Sequence, residues 1–213
     1  MILFDKHTDE FRLAVWNVEE DIETLLSMLP DSKHVCTEAD KRFRSDTRKK
    51  EWIAVRVLLH SMLQRQTKIE YAENGAPLLP EEDMNISISH TSRNADGRNV
   101  MYVAVALSRN HKVGIDIECL SKRIIKVKER FVGNEEKAET LTSLLLHWSA
   151  KESAFKVLST EGVDFIRHLH IEPFEEANEG SFVLTESKTD KKCLMNVIYK
   201  IFDNFILTFI CTD

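Results

Sequence analysis

The chain has 213 residues, 43% of them hydrophobic and 30% charged, with a formal net charge of −6. That much apolar side chain supplies a proper core and excludes global disorder, and the length suits one large domain or two closely packed halves. The acidic balance argues against general binding to nucleic acid or anionic membranes while leaving room for a local basic site. No apolar run approaches the about 20 residues that cross a bilayer. Four scattered cysteines, Cys36, Cys119, Cys193 and Cys211, form no CxxC pair. They fit reduced thiols better than a disulfide frame or a zinc site. The opening Met-Ile-Leu-Phe-Asp-Lys lacks the basic-then-apolar pattern of a secretory signal, so a cytoplasmic protein is expected.

In chain order, the alternation through Phe11, Leu13 and Val15 predicts a strand. Asn17 is placed to cap a helix from about Glu19 to Leu29, which Pro30 ends. A second helical stretch covers roughly Cys36 to Arg44. Asp46 then caps a stronger helix from Thr47 to about Gln66, with Trp52, Val55, Leu59 and Met62 or Leu63 as its apolar stripe and Arg48 and Arg56 at the edge. Glu73-Asn74-Gly75-Ala76-Pro77 reads as a turn. Ile86 and Ile88 alternate with Ser87 and Ser89, a short strand that runs into Ser89-His90, and the polar stretch Thr91 to Asn99 reads as a loop. Val100 to Leu107 is a second strand, and after a break near Ser108 to Lys112 comes a third, Val113 to Glu118.

A charged stretch from Ser121 to Lys137 has a helical look, with Ile124, Val127 and Phe131 on one side. Leu141 to Leu158 holds no Gly or Pro and reads as a helix with Leu144, Trp148, Phe155 and Leu158 as its stripe. Short apolar runs follow: Phe165 to Ile171, Ser181 to Thr185, and a closing hairpin of Cys193 to Ile201 and Phe205 to Cys211 around Phe202-Asp203-Asn204. Each half shows helices followed by strands. That suggests two similar α+β halves, 1–110 and 111–213, without a sequence repeat.

The chemistry concentrates in two segments. In Val113-Gly114-Ile115-Asp116-Ile117-Glu118, the period of two turns Val113, Ile115 and Ile117 one way and Gly114, Asp116 and Glu118 the other. Two carboxylates then stand together beside a glycine that leaves open space. Either the face is solvated, or a cation separates the charges, and oxygen-only ligands suit Mg²⁺. In Trp148-Ser149-Ala150-Lys151-Glu152-Ser153-Ala154-Phe155-Lys156, Glu152 lies on or beside an apolar stripe. It could pair with Lys156 at i,i+4 or join Asp116 and Glu118 as a third acid. His90 and Ser89, with Arg48 and Arg56, could hold a phosphate. No Walker loop and no GxGxxG fingerprint is present.

Taken together, Asn85-Ile86-Ser87-Ile88-Ser89-His90, the Asp116–Glu118 strand and the Trp148–Lys156 helix resemble the ordered motifs of the 4′-phosphopantetheinyl transferases, in the larger single-chain type that activates surfactin synthetase. The resemblance implies a pseudo-dimer of two α+β halves with coenzyme A in the cleft between them. It implies Mg²⁺ held by Asp116, Glu118 and Glu152, and Lys156 on the phosphates. Ser89 and His90 would bind the 3′-phosphate, with Arg48 and Arg56 toward the same end and Lys151 pairing or positioning within the site. The activity implied is holo-acyl-carrier-protein synthesis: a serine of an apo acyl or peptidyl carrier protein takes phosphopantetheine from coenzyme A, Glu152 acts as base, and 3′,5′-ADP leaves. A chain that already contains both halves is expected to be a monomer. The family turn before the Ser-His motif is Gly-Lys-Pro, whereas here it is Gly75-Ala76-Pro77, so one phosphate contact is missing unless Lys68 or Arg93 substitutes.

The stretch Lys122 to Phe131 carries five cations in ten residues. It is either a solvated amphipathic helix or a docking face for an acidic carrier helix. Two other readings of the chain stand beside the transferase: a catalytically weak relative that binds coenzyme A or a carrier without turnover, and an unrelated Mg²⁺-dependent phosphodiesterase.

Overall fold

A computed structural model describes residues 2–95 and 98–213. The first half builds an antiparallel sheet from β1 (Ile2–His7), β2 (Arg12–Asn17), β5 (Asn85–Ala95) and β6 (Arg98–Ser108), in the order β1-β2-β6-β5. Helices α1 (Ile22–Ser27), α2 (Ser32–Arg42) and α3 (Asp46–Leu63) lie on it, and β3 (Glu70–Tyr71) pairs with β4 (Pro77–Leu78) in a small hairpin turned at Gly75 with φ +83°. The second half builds another sheet, β7 (Lys112–Cys119), β11 (Phe205–Thr212), β10 (Leu194–Ile201), β9 (Glu179–Glu186) and β8 (Leu169–Ile171), in that order. Helix α4 (Leu141–Leu158) packs on β7 and β11.

The two halves share a strand order. In each, a first strand (β2 or β7) precedes the main helix (α3 or α4), and a hairpin (β5–β6 or β10–β11) follows it. The last strand inserts between the other two. The sheets also face each other. Leu13, Val15, Tyr102 and Ala104 from one meet Ile115, Ile117, Leu207 and Phe209 from the other in a continuous core, with Phe11 and Phe209 rings 4.5 Å apart. Burial of each large side chain here is worth about 1.5–3 kcal/mol, so the halves fold as one body. The core under α3 and the core under α4 are separate clusters.

Where the sheets' edges meet, β5 and β7 are joined by side chains. The hydroxyls of Ser87, Ser89 and Thr91 accept from the backbone N–H of Ile115, Ile117 and Cys119 at 3.1, 3.3 and 3.3 Å. Alternation along β5 sends these three hydroxyls the same way, so an every-other-residue pattern satisfies an edge that lacks a strand partner.

Several expectations are corrected. β1 has no alternating signal and exists through its pairing with β2. Helix α1 starts at Ile22, because Asp21 rather than Asn17 caps it, accepting from Thr24 N–H at 2.8 Å. Helix α3 has Ser45 rather than Asp46 at its N-cap position, without a side-chain capping bond, and it stops at Leu63, where Gln64 turns left-handed. The expected loop Thr91 to Asn99 is largely strand: Thr91, Ser92 and Arg93 continue β5 opposite Tyr102, Met101 and Val100. Residues 96–97 of that stretch lie outside the described residues. The charged stretch is a 3₁₀ helix, Lys122–Arg130, and does not run on to Lys137. Of Phe165 to Ile171, Leu169–Ile171 is strand.

Candidate active site

Helix α4 begins where Thr140 and Ser143 cap each other reciprocally, and it ends at left-handed Ser159. Its approach to the sheet is set by Gly114. A Cβ there would meet Ser153 O at 2.1 Å, so the open space expected beside this glycine is filled by the helix backbone. That close approach puts Glu152 and Lys156 over the carboxylates of β7. A cleft of about 860 Å³ opens between the halves, lined by α3, the β3–β4 turn, β5 and the last two turns of α4. Arg48, Arg56, Ser89, His90, Glu152 and Lys156 all line it.

Asp116 is 5% exposed. Its Oδ1 accepts from Ser89 Oγ and from Lys156 Nζ, both at 2.9 Å, whereas its Oδ2 is buried and has no partner. Lys156 also donates to Ile115 O at 2.7 Å, which leaves one ammonium proton uncommitted. Glu118 accepts from Trp148 Nε1 at 2.8 Å. Burial, then the charges of Asp116 and Glu152, push the Glu118 carboxyl up to about 7 against the relief from Trp148 and Lys156. Burial and Asp116 push Glu152 up to about 7 as well, with Lys156 opposing. Three acids therefore feel one another with one lysine among them, but of the three only Glu152 lines the cleft; Asp116 lies buried and Glu118 half-buried behind it. The i,i+4 pair between Glu152 and Lys156 does not form, because Lys156 turns to Asp116.

Among the described residues no three acid, His or Cys side chains close into a ready cation cage. Like charges hold apart, and Asp116 and Glu118 lean on Lys156 and Trp148 instead. The donor set nevertheless fits a hard divalent cation. It is oxygen-only, it carries excess negative charge, and it includes one buried oxygen with nothing to bind.

Across the cleft, the Arg56 guanidinium lies 3.2 Å from the Trp52 ring centroid and donates to Trp52 O; burial lowers it to about 10. The Arg48 side chain is 62% exposed and reaches Glu51 Oε2 at 3.2 Å. Glu51 is buried, accepts from Ser92 Oγ at 3.1 Å and stands 3.5 Å from His90 Nδ1. Burial holds the His90 imidazole below its usual range, Glu51 pulling the other way. His90, Arg48 and Arg56 thus offer donors to an anion, whereas the single Ser89 proton is committed to Asp116.

Lys151 is placed elsewhere. It is fully buried on the far side of α4 and donates to Glu136 Oε2, Phe131 O and Phe165 O at 2.7, 2.6 and 2.9 Å, so all three of its protons are used away from the cleft. Phe155, expected on the buried stripe, is 40% exposed and lines the cleft. Neither proposed substitute for the missing turn lysine is free: Lys68 pairs with Glu70, and Arg93 donates to Leu120 O. Lys112 and Arg42 line the cleft unanticipated, the latter 5.9 Å from the Trp52 and Tyr71 rings. On the 3₁₀ helix, Ile124 and Val127 pack inward while Ile125, Lys126 and Arg130 face out. Sequence reasoning also missed the Trp148–Glu118 and Ser89–Asp116 contacts.

Residues 112–210 match the family model of the 4′-phosphopantetheinyl transferase superfamily (ACPS), a span a little under half the chain that contains β7, α4 and the whole acid cluster. No curated protein matches the chain.

Proposed function

With residues 112–210 a domain of the 4′-phosphopantetheinyl transferase superfamily, we propose that the chain moves 4′-phosphopantetheine from coenzyme A to a serine of an apo acyl or peptidyl carrier protein. The superfamily supports phosphopantetheinyl transfer, and the acid cluster that Glu152 joins to the cleft supports the finer reading. The observation that carries it is Asp116 Oδ2, buried and without a partner, in a cluster where Asp116 also raises the Glu118 and Glu152 carboxyls.

Asp116, Glu118 and Glu152 would hold a Mg²⁺ ion, which when bound supplies positive charge to the coenzyme A pyrophosphate. The carrier serine oxygen attacks the β-phosphorus, the bond to the bridging oxygen breaks, and 3′,5′-ADP carries that oxygen away. Glu152, over Asp116 at the cleft wall, would take the serine proton, directly or through a water it orients. Lys156, anchored by Ile115 O and Asp116, keeps one proton for the departing phosphate. Arg48, Arg56 and His90 face the 3′-phosphate end. The outward cations of Lys122–Arg130 suit the acidic helix of a carrier. The repeated strand order supports two halves related as a pseudo-dimer, divided near residues 108–112.

The test is to incubate the chain with coenzyme A, Mg²⁺ and apo carriers of the fatty-acid, polyketide and peptide-synthetase classes, and to weigh the carriers by mass spectrometry. A phosphopantetheine mass gain abolished by chelator is expected. No gain on any carrier, with coenzyme A still bound, would replace transfer by simple binding.

A further inference from the structure

The Ser-His pair beside an anion-binding cleft invites an assignment of both side chains to phosphate, but the geometry divides them. Ser89 is 7% exposed, whereas the His90 side chain is 35% exposed. A hydroxyl has one proton to give. Ser89 gives it to Asp116 Oδ1 at 2.9 Å and fills a lone pair with Ile117 N–H at 3.3 Å. Oδ1 is the oxygen that also takes Lys156, so two donors from two different elements fix one end of the Asp116 carboxylate. The other oxygen, Oδ2, is left bare and buried. A carboxylate pinned at one oxygen cannot rotate about its terminal torsion, and its second oxygen then has one direction.

We propose that Ser89 is a positioning residue, whose hydroxyl holds Asp116 so that its unpartnered oxygen faces the cation, and is not itself a phosphate ligand. The inference deepens the transferase reading and rests on it. It also ties the two halves to the chemistry: β5 of the first half aims a carboxylate that β7 of the second half carries. The seam supplies an internal control. Ser87 makes the same kind of bond to Ile115 N–H and does not touch Asp116.

The experiment uses the full chain with Ser89→Ala, Ser89→Thr and Ser87→Ala. Mn²⁺ affinity is measured by electron paramagnetic resonance without coenzyme A, KM is measured for coenzyme A and for 3′-dephospho-coenzyme A, and Tm for all variants. Removing a residue that orients a metal ligand typically weakens the metal 10- to 100-fold. Ser89→Ala should therefore lose about tenfold or more in Mn²⁺ affinity, Ser89→Thr should recover it, and Ser87→Ala should not show the loss. Ser89→Ala, which removes the bond to Asp116 as well as the seam bond, should lose more Tm than Ser87→Ala, and the preference for the 3′-phosphate should persist in Ser89→Ala. A Ser89→Ala variant that keeps its Mn²⁺ affinity but loses that preference would overturn the proposal, as would an equal Mn²⁺ loss in Ser87→Ala. Combining Ser89→Ala with Asp116→Asn separates the two levels. If the Tm losses fall short of additive, the contact stands; a parent that binds no Mn²⁺ would overturn the proposal, whereas Ser89-dependent Mn²⁺ binding without carrier modification would break the transferase reading alone. Fully additive losses would overturn the contact itself.

Discussion

Helix α4 carries two lysines that each end on a buried carboxylate, and the two sites are opposites. On one side, Lys151 spends its three protons on Glu136, Phe131 O and Phe165 O, while Glu136 also accepts from Gly133 N–H and Ile171 N–H. Both side chains are essentially sealed from water, and each finds its full complement of partners. On the other side, Lys156 bonds only Asp116 of three acids, one carboxylate oxygen is buried with no donor, and two carboxyls are driven up to about 7. A closed, satisfied pair adds little net stability, but removing one partner strands a buried charge. An open cluster with surplus charge is unstable as it stands and would become favourable with a cation and phosphates bound. On the proposed reading the same helix gives one face to rigidity and the other to binding.

That contrast breaks most visibly in turnover. Glu152→Gln should cut carrier modification by about 10²–10⁴-fold, the range for loss of a general base. Its Tm should hold or rise, because a buried repulsion is relieved; a parallel fall in Tm would mean that Glu152 is structural. Next in size is Lys151→Met, which strands Glu136 and should cost about 3–5 kcal/mol, lowering Tm by about 10 °C in calorimetry for a chain of this length. The folded fraction should still bind coenzyme A normally, whereas loss of binding would return Lys151 to the site.

Acidity sharpens the comparison further. Glu118 and Glu152 hold their protons to about 7 in the folded chain but to their ordinary 4.5 when unfolded. Folding is thus favoured by these groups below about pH 4.5, and the contribution is lost as pH rises through 7. Without divalent cation, Tm should fall by a few degrees between pH 5.5 and 8, less so in Glu152→Gln, and added Mg²⁺ should restore it at pH 8. A slope identical in both proteins would remove Glu152 from the account. The smallest effect belongs to the outer surface. Reversing Lys126 and Arg130 to Glu should raise the KM for an acidic carrier several-fold with coenzyme A binding unchanged, and an equal loss of both would argue against docking there.

The bounds of α4, the β7 strand and the acids they bring together were readable because period and motif agree at those positions. What the sequence hid is mostly choice of partner. Lys151 and Lys156 both lie near Glu152 along the helix, yet Lys151 finds Glu136 across a loop, and no local signal announces that. Trp148 was readable as stripe but not as a donor to Glu118, since an indole serves both ends at once. Polar Thr91 and Ser92 read as loop because the pattern for a half-buried strand assumes one apolar side; here Thr91 meets the second sheet and Ser92 meets Glu51 on α3.

The hydroxyl seam between β5 and β7 has a kinetic consequence. Amides of Gly114, Asp116 and Glu118, which the pleat turns toward β11, sit in a regular backbone ladder. Those of Ile115, Ile117 and Cys119 depend on side-chain oxygens that can swing aside one at a time. Successive residues of a single strand should therefore exchange hydrogen for deuterium on two clocks. The fast set would report parting of the two halves, and the slow set would report unfolding of the sheet.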